Sequence, residues 1–159
     1  MLYVSTSRKP TQQTRILAKW LSRLFGGEYE NRGKRSVAEI AARMREKGFA
    51  RAVFVYEKHG NPHSLNFLDA EEGWLYPEVL ISGFDVPRND GQRLGVVGSA
   101  SAEDENGRKM LKLIGFERNW SEGLKMVLSS KEISFIGQSG KSVFSIRIKG
   151  FNEGGPVES

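Results

Sequence analysis

The chain has 159 residues, of which 38% are hydrophobic and 27% charged, with no cysteine and two histidines. That composition excludes a disordered chain, disulfide staples, thiolate metal centres and cysteine catalysis, and it fits an ordinary globular core. The net charge of +5 is unevenly spread: residues 1–58 carry 13 basic and 5 acidic side chains, residues 59–159 carry 11 and 14. A basic half joined to a mildly acidic half is an electrostatic footprint for a polyanion.

Leu2 to Ser5 is a short apolar run that reads as a strand. Pro10 then breaks the chain, because a proline disfavours a helical conformation in the residue before it. From Thr11, the residues Ile16, Leu17, Trp20, Leu21, Leu24 and Phe25 recur at helical spacing. Arg15, Lys19 and Arg23 form a basic stripe on that helix, and Gly26-Gly27 ends it. Glu28 to Arg35 is a polar connector. Ser36 with Glu39 predicts a capping box at the start of a second helix, with Val37, Ile40, Ala41 and Met44 facing the core. Arg51 to Glu57 predicts a buried strand, His59 to Pro62 a turn, and Ser64–Leu68 and Leu75–Ile81 two further strands.

Phe84 to Gly91, with Pro87 and Asn89-Asp90-Gly91, is the predicted boundary between two halves. Leu94 to Val97 reads as a short strand, Glu103 to Ile114 as a helix whose charges suit its dipole, and Ser121 to Leu128 as a short helix. Glu132–Ile136 and Ser142–Ile148 flank a glycine turn. In the second of these Phe144, Ile146 and Ile148 alternate with Val143, Ser145 and Arg147, as in a half-buried hairpin strand. The expected fold class is α/β: mixed sheets with packed helices, in an N-terminal half of about 1–84, a C-terminal half of about 85–150 and a frayed tail at 151–159.

Several motifs fail. Ser139-Gly140-Lys141-Ser142 resembles a phosphate loop, but Phe135 stands where the first glycine belongs and the segment enters a strand. His59 and His63 are separated by Pro62 and do not form a metal site. The carboxylate groups Glu71-Glu72 and Glu103-Asp104-Glu105 read as solvated or helix-starting. No catalytic residue, metal ligand or cofactor is expected.

Two basic loops remain, each opening a helix. The first runs from Ser5 to Arg15 and offers Ser7, Arg8, Lys9 and Arg15, with Lys19 on the same helical stripe. The second, Asn31 to Ser36, offers Asn31, Arg32, Lys34 and Arg35. Helix N-termini favour anions, and hydroxyl, amide and cationic side chains are the usual phosphate partners. These nine residues are the predicted polyphosphate-binding set.

The segments STSRKPTQQTR (5–15), NRGKRS (31–36) and EKGFARAVFVYEKHGNPHSLNF (46–67) resemble, in order and spacing, the Brix-domain family of ribosome-biogenesis proteins. The closing ISFIGQSGKSVFSIRIKG (133–150) resembles that family's C-terminal strands, and the compact length is similar to archaeal members. The resemblance implies two quasi-duplicated halves, each like the anticodon-binding domain of class IIa aminoacyl-tRNA synthetases. It also implies that the polyphosphate is RNA, with binding of rRNA or pre-rRNA during processing and subunit assembly, without catalysis. The matched positions are Ser7, Arg8, Pro10, Arg15, Asn31, Arg32 and Gly33; Lys9, Lys34 and Arg35 join them on charge.

Two other readings compete with RNA binding. In one, the acidic half docks another assembly factor or a ribosomal protein, and the surface at 103–132 matters most. In the other, the chain is a tRNA-binding accessory domain. No membrane or small-molecule partner is expected: no apolar run nears the roughly 20 residues of a span, and the N-terminus has no signal-peptide core. The expected compartment is the cytoplasm, or the nucleolus in a eukaryotic source.

Overall fold

The computed structural model describes residues 1–86 and 95–154. In chain order the elements are β1 (Tyr3–Thr6), α1 (Gln12–Leu24), β2 (Glu28–Tyr29), α2 (Val37–Glu46), β3 (Arg51–Lys58), β4 (Asn61–Asp69) and β5 (Gly73–Trp74). Then follow β6 (Glu78–Asp85), β7 (Val97–Ala102), α3 (Glu105–Ile114), β8 (Leu124–Leu128), β9 (Glu132–Ile136) and β10 (Ser142–Asn152).

Each helix is built from legible local chemistry. A 13-residue helix such as α1 is marginal in isolation, so its apolar stripe holds it: Leu17, Ala18, Leu21 and Leu24 are buried. Each buried leucine contributes about 1.5–3 kcal/mol. The capping box of α2 is present, with the Glu39 backbone N–H donating to Ser36 Oγ at 3.1 Å and the Ser36 N–H donating to the Glu39 carboxylate at 3.3 Å. In α3, Asp104 accepts from the Gly107 N–H at 2.8 Å, and Gly115 closes the helix in the left-handed region. A Cβ on Gly107 would stand 2.2 Å from the Leu128 carbonyl oxygen, so glycine there lets α3 lie against β8.

The strands form one continuous mixed sheet in the order β2-β1-β3-β4-β6-β10-β9-β8-β7, with β5 paired to β4. The pairing pattern occurs twice. β1 lies parallel to β3, which is followed by antiparallel β4 and β6; β7 lies parallel to β8, which is followed by antiparallel β9 and β10. The two arrays meet where β6 and β10 pair antiparallel. Strand alternation separates the two faces. Leu2, Val4, Val53 and Val55 pack with α1 and α3 in the larger core, whereas Tyr3, Ala52 and Phe54 pack with α2 in the smaller one.

Four expectations change. Ser121–Leu128 is not a helix: Leu124, Met126 and Leu128 are buried alternately in β8, which pairs parallel with β7. The tail begins later than 151, because Phe151 and Asn152 pair with Val79 and Glu78. The strand expected at Leu75 starts at Glu78. β7 starts at Val97, with Leu94 outside the described residues. Of the predicted boundary, Phe84 and Asp85 end β6, and residues 87–94 lie outside the described residues.

Candidate nucleic-acid interface

β1, β2 and β3 are parallel, so their C-terminal ends lie at one end of the sheet. β1 leads into α1 on one face and β2 leads into α2 on the other. Adjacent strands whose chains depart to opposite faces leave a crevice at their carboxyl ends, the usual ligand position in open α/β sheets. Both basic loops emerge there.

The two loops are tied together from below. The Ser5 hydroxyl donates to the Glu30 carbonyl at 2.8 Å, and the Glu30 N–H donates to the Val4 carbonyl at 2.9 Å. The Glu30 side chain is buried and takes hydrogen bonds from the Tyr3 hydroxyl and from Arg43 Nε at 2.7 Å, with Arg35 Nε at 3.4 Å. Burial pushes this carboxyl up, but the bonds from Tyr3 and Arg43 and the charges of Arg43 and Arg35 outweigh it and hold the group below its ordinary value. Burial and the bond to Glu30 both push the Tyr3 hydroxyl upward.

Arg32 departs from its predicted role. Its side chain is fully buried, whereas phosphate binding needs an exposed guanidinium. Nη1 donates to the Thr6 carbonyl at 2.9 Å, Nε donates to the Arg35 carbonyl at 2.6 Å, and the guanidinium carbon sits 5.7 Å from the Phe54 ring centre. Arg32 therefore packs against Phe54 of β3 and fixes the second loop to the end of β1.

The α1 entrance is also internally satisfied. Glu57 accepts from the Thr11 N–H at 3.0 Å, the Thr11 hydroxyl at 3.2 Å and the Thr14 hydroxyl at 2.6 Å. Burial raises the Glu57 carboxyl, but these bonds prevail and hold it below its ordinary value, with the Arg15 charge adding to them. The hydroxyls at this helix start thus face a carboxylate of the same chain. The single Thr11 hydroxyl proton is shared with the nearer Gly60 carbonyl, at 2.8 Å, which brings the β3–β4 turn beside the first loop.

The other predicted residues divide by what already engages them. Arg8, Lys9 and Lys34 are exposed, and their side chains make no hydrogen bond or ion pair among the described residues. Lys9 has a φ of 51°, in the left-handed region, directly before Pro10. Arg15 and Lys19 are exposed along α1, and Lys19 Nζ lies 5.9 Å from the Tyr29 ring centre. Asn31 is exposed, and its carbonyl accepts from Arg35 Nη1 at 3.4 Å. Arg35 is half-exposed and held by Glu30. The Ser7 hydroxyl is buried without a hydrogen-bond partner.

Sequence reasoning missed Lys58 and His59, which are exposed on the turn that Thr11 anchors. Their only mark in the sequence is a basic pair before Gly60, and their distance along the chain from either loop hides the relationship. Among the described residues there is no group of three or more His, Asp or Glu side chains placed to hold a metal, and no helix is long and apolar enough to cross a membrane.

No family model matches the chain. A protein of Methanosarcina mazei named "Probable Brix domain-containing ribosomal biogenesis protein" is 32% identical over 96% of this chain and 99% of its own length. The chain belongs to the Brix-domain family. A Brix-domain relative of the same name from Methanothermobacter thermautotrophicus is 40% identical, over 45% of this chain and 44% of its own. The crystal structure of an archaeal Imp4-like protein superimposes on this Brix-domain chain with a TM-score of 0.75 at 25% identity, covering 96% of this chain and 99% of that one. A ribosomal biogenesis protein of Aeropyrum pernix shares the fold, with a TM-score of 0.75 at 22% identity over 99% of this chain and 97% of its own.

Proposed function

We propose that this chain is a non-catalytic ribosome-assembly factor that binds structured rRNA or its precursor at the carboxyl end of β1, β2 and β3. The carrying observation is that Arg8, Lys9, Lys34 and Lys58 are exposed there, and their side chains make no hydrogen bond or ion pair among the described residues. Cations held by a carboxylate, as Arg35 and Arg43 are by Glu30, have less to offer a phosphate. Arg15, Lys19, Asn31 and His59 border the same end, and the buried Arg32 orders it.

None of the exposed large hydrophobic residues among the described residues belongs to these loops; they are Met1, Tyr76, Val86, Val96 and Trp120. With no exposed Tyr, Trp or Phe at this end among the described residues, recognition there rests on phosphates and helix shape, as suits double-helical RNA. The family relatives named for ribosomal biogenesis support an rRNA target over tRNA. The twofold pairing pattern supports reading the chain as two alike halves of about 1–84 and 85–150, comparable to anticodon-binding modules.

The test is binding of the full chain to rRNA hairpins and bulk tRNA across a salt series, beside an Arg8→Glu/Lys34→Glu variant. Salt-steep binding that the variant loses supports the proposal. Binding that the variant retains overturns this surface as the RNA site.

A second reading, a protein adaptor, draws on the C-terminal half. Trp120 is 54% exposed, carries Arg118 at 4.6 Å over its ring, and lies near the exposed Val96. If this reading holds, Trp120→Ala breaks a partner complex and leaves RNA binding intact.

A further inference from the structure

At the opposite end of β3 from the basic loops, a groove of about 370 Å³ opens between α3 and the segment joining β5 to β6. Arg51, Leu75, Tyr76, Lys109, Lys112 and Glu153 line it. Its volume falls in the roughly 300–1,000 Å³ range of sites that take a small organic group. We propose that this groove is a second RNA site, which takes one unpaired nucleotide of a single-stranded segment. Its base would stack on Tyr76 and its flanking phosphates would meet Lys109 and Lys112.

Three observations carry this. Tyr76 is 53% exposed, one of two aromatic side chains among the exposed large hydrophobics of the described residues. Lys109 and Lys112 are exposed, lie three positions apart on α3, and make no side-chain hydrogen bond or ion pair among the described residues. The third cation, Arg51, is committed to the end of α3 and to Asp69, so it shapes the groove and leaves phosphate contact to the two lysines. One carboxylate, Glu153, lines the groove, and it disfavours a phosphate on its own side. An exposed aromatic ring beside free cations is the recurring plan for single-stranded nucleic acid, because every base has a face to stack.

An acidic peptide would satisfy the lysines equally well but has no use for the ring. Tyr76 therefore decides between the two ligands. The basic loops, which lack an exposed aromatic, and this groove would then bind different parts of one RNA, a duplex at one end and an unpaired segment at the other. This inference rests on the RNA-binding reading but concerns separate residues.

The test uses the full chain with three probes: a single-stranded octauridine, an RNA hairpin closed by a non-nucleotide linker so that it has no unpaired base, and an octaglutamate peptide. Tyr76→Ala should weaken octauridine binding about ten-fold, and Tyr76→Phe should restore it. Lys109→Ala/Lys112→Ala should weaken it and reduce the slope of log affinity against log salt by about 1.4. Neither change should affect the hairpin. Octauridine binding that is absent, or indifferent to Tyr76→Ala, overturns the groove as a nucleotide site, as does preferential binding of octaglutamate there. Loss of hairpin binding in Arg8→Glu/Lys34→Glu is scored separately, so the basic-loop reading stands or falls independently.

Discussion

Arg51 Nη1 donates to the carbonyl of Lys112 at 3.0 Å, joining residues 61 positions apart. The same guanidinium reaches the Leu113 carbonyl, and its Nη2 pairs with Asp69 at 3.4 Å. The Lys112 carbonyl also accepts from the Gly115 N–H at 3.1 Å, and the last carbonyls of α3 form the negative end of its dipole, so a cation belongs there. Arg51 opens β3 in the first strand array, whereas α3 packs on the second. The contact therefore adds a polar link between arrays that otherwise meet through β6 and β10 and through the shared core.

Arg51→Met keeps most of the side-chain bulk but removes the charge and the donors. A loss of about 1–2 kcal/mol is expected, the upper range for a cation at a partly buried helix end. Urea unfolding measures it. Amide exchange at Ile114 and Gly115 should accelerate more than at Leu17 or Leu21. Uniform acceleration throughout would mean that Arg51 does not act locally on α3.

The buried Arg32 predicts a different outcome from its neighbour Lys34. Arg32→Ala removes donors to the Thr6 and Arg35 carbonyls and leaves a void beside Phe54. Hydrogen bonds from a charged group contribute about 1.5–3 kcal/mol each in favourable cases, so a loss of roughly 3 kcal/mol is expected. Lys34→Ala, at an exposed position, should stay within about 0.5 kcal/mol. Lys34→Ala should weaken RNA binding while the protein remains as stable as wild type. Arg32→Ala should lower both, and an RNA-specific defect without a stability loss would contradict the buried role.

Local chemistry was readable where its partners are close in sequence. Ser36 and Glu39 lie within one helical turn, and Phe144, Ile146 and Ile148 declare their strand by alternation. The residues misread depend on distant partners. Leu124 and Leu128 suit a helix as well as a strand, and only pairing with β7 decides between them. Arg32 looks like a surface cation in a glycine loop until Thr6 and Phe54, 26 and 22 positions away, are brought around it. Likewise Glu57 reads as a strand-end charge, although it holds Thr11 and Thr14 at the start of α1.

Glu57 gives the fold a predicted acid sensitivity. Its carboxyl lies below the ordinary value in the folded chain because the hydrogen bonds from Thr14 and Thr11 outweigh burial. A group depressed in this way stabilises the fold above its unfolded pKa of about 4.3, and that contribution is lost as pH falls through the folded value. Wild type should therefore melt above Glu57→Gln at neutral pH, and the gap should narrow below about pH 5. Thermal melts from pH 7 to about pH 3 measure this. A gap that stays constant would show that ionised Glu57 contributes nothing beyond what the amide supplies.

Lys58 is the sharpest test of how the interface is assembled, because it belongs to neither basic loop. It reaches the end of the sheet only because β3 runs parallel to β1 and the Thr11 hydroxyl holds the following turn at Gly60. If that end meets phosphates, Lys58→Glu should weaken hairpin RNA binding and lower the slope of log affinity against log salt by about 0.9. Stability should change by less than about 0.5 kcal/mol, since the side chain is exposed and makes no ion pair among the described residues. Lys112→Glu is the matched control: an equally exposed lysine beside Arg51, which begins β3 at its opposite end. Equal effects from the two reversals would mean that RNA senses only the net charge of +5. A defect confined to Lys58 would mean that it senses the place where three parallel strands end.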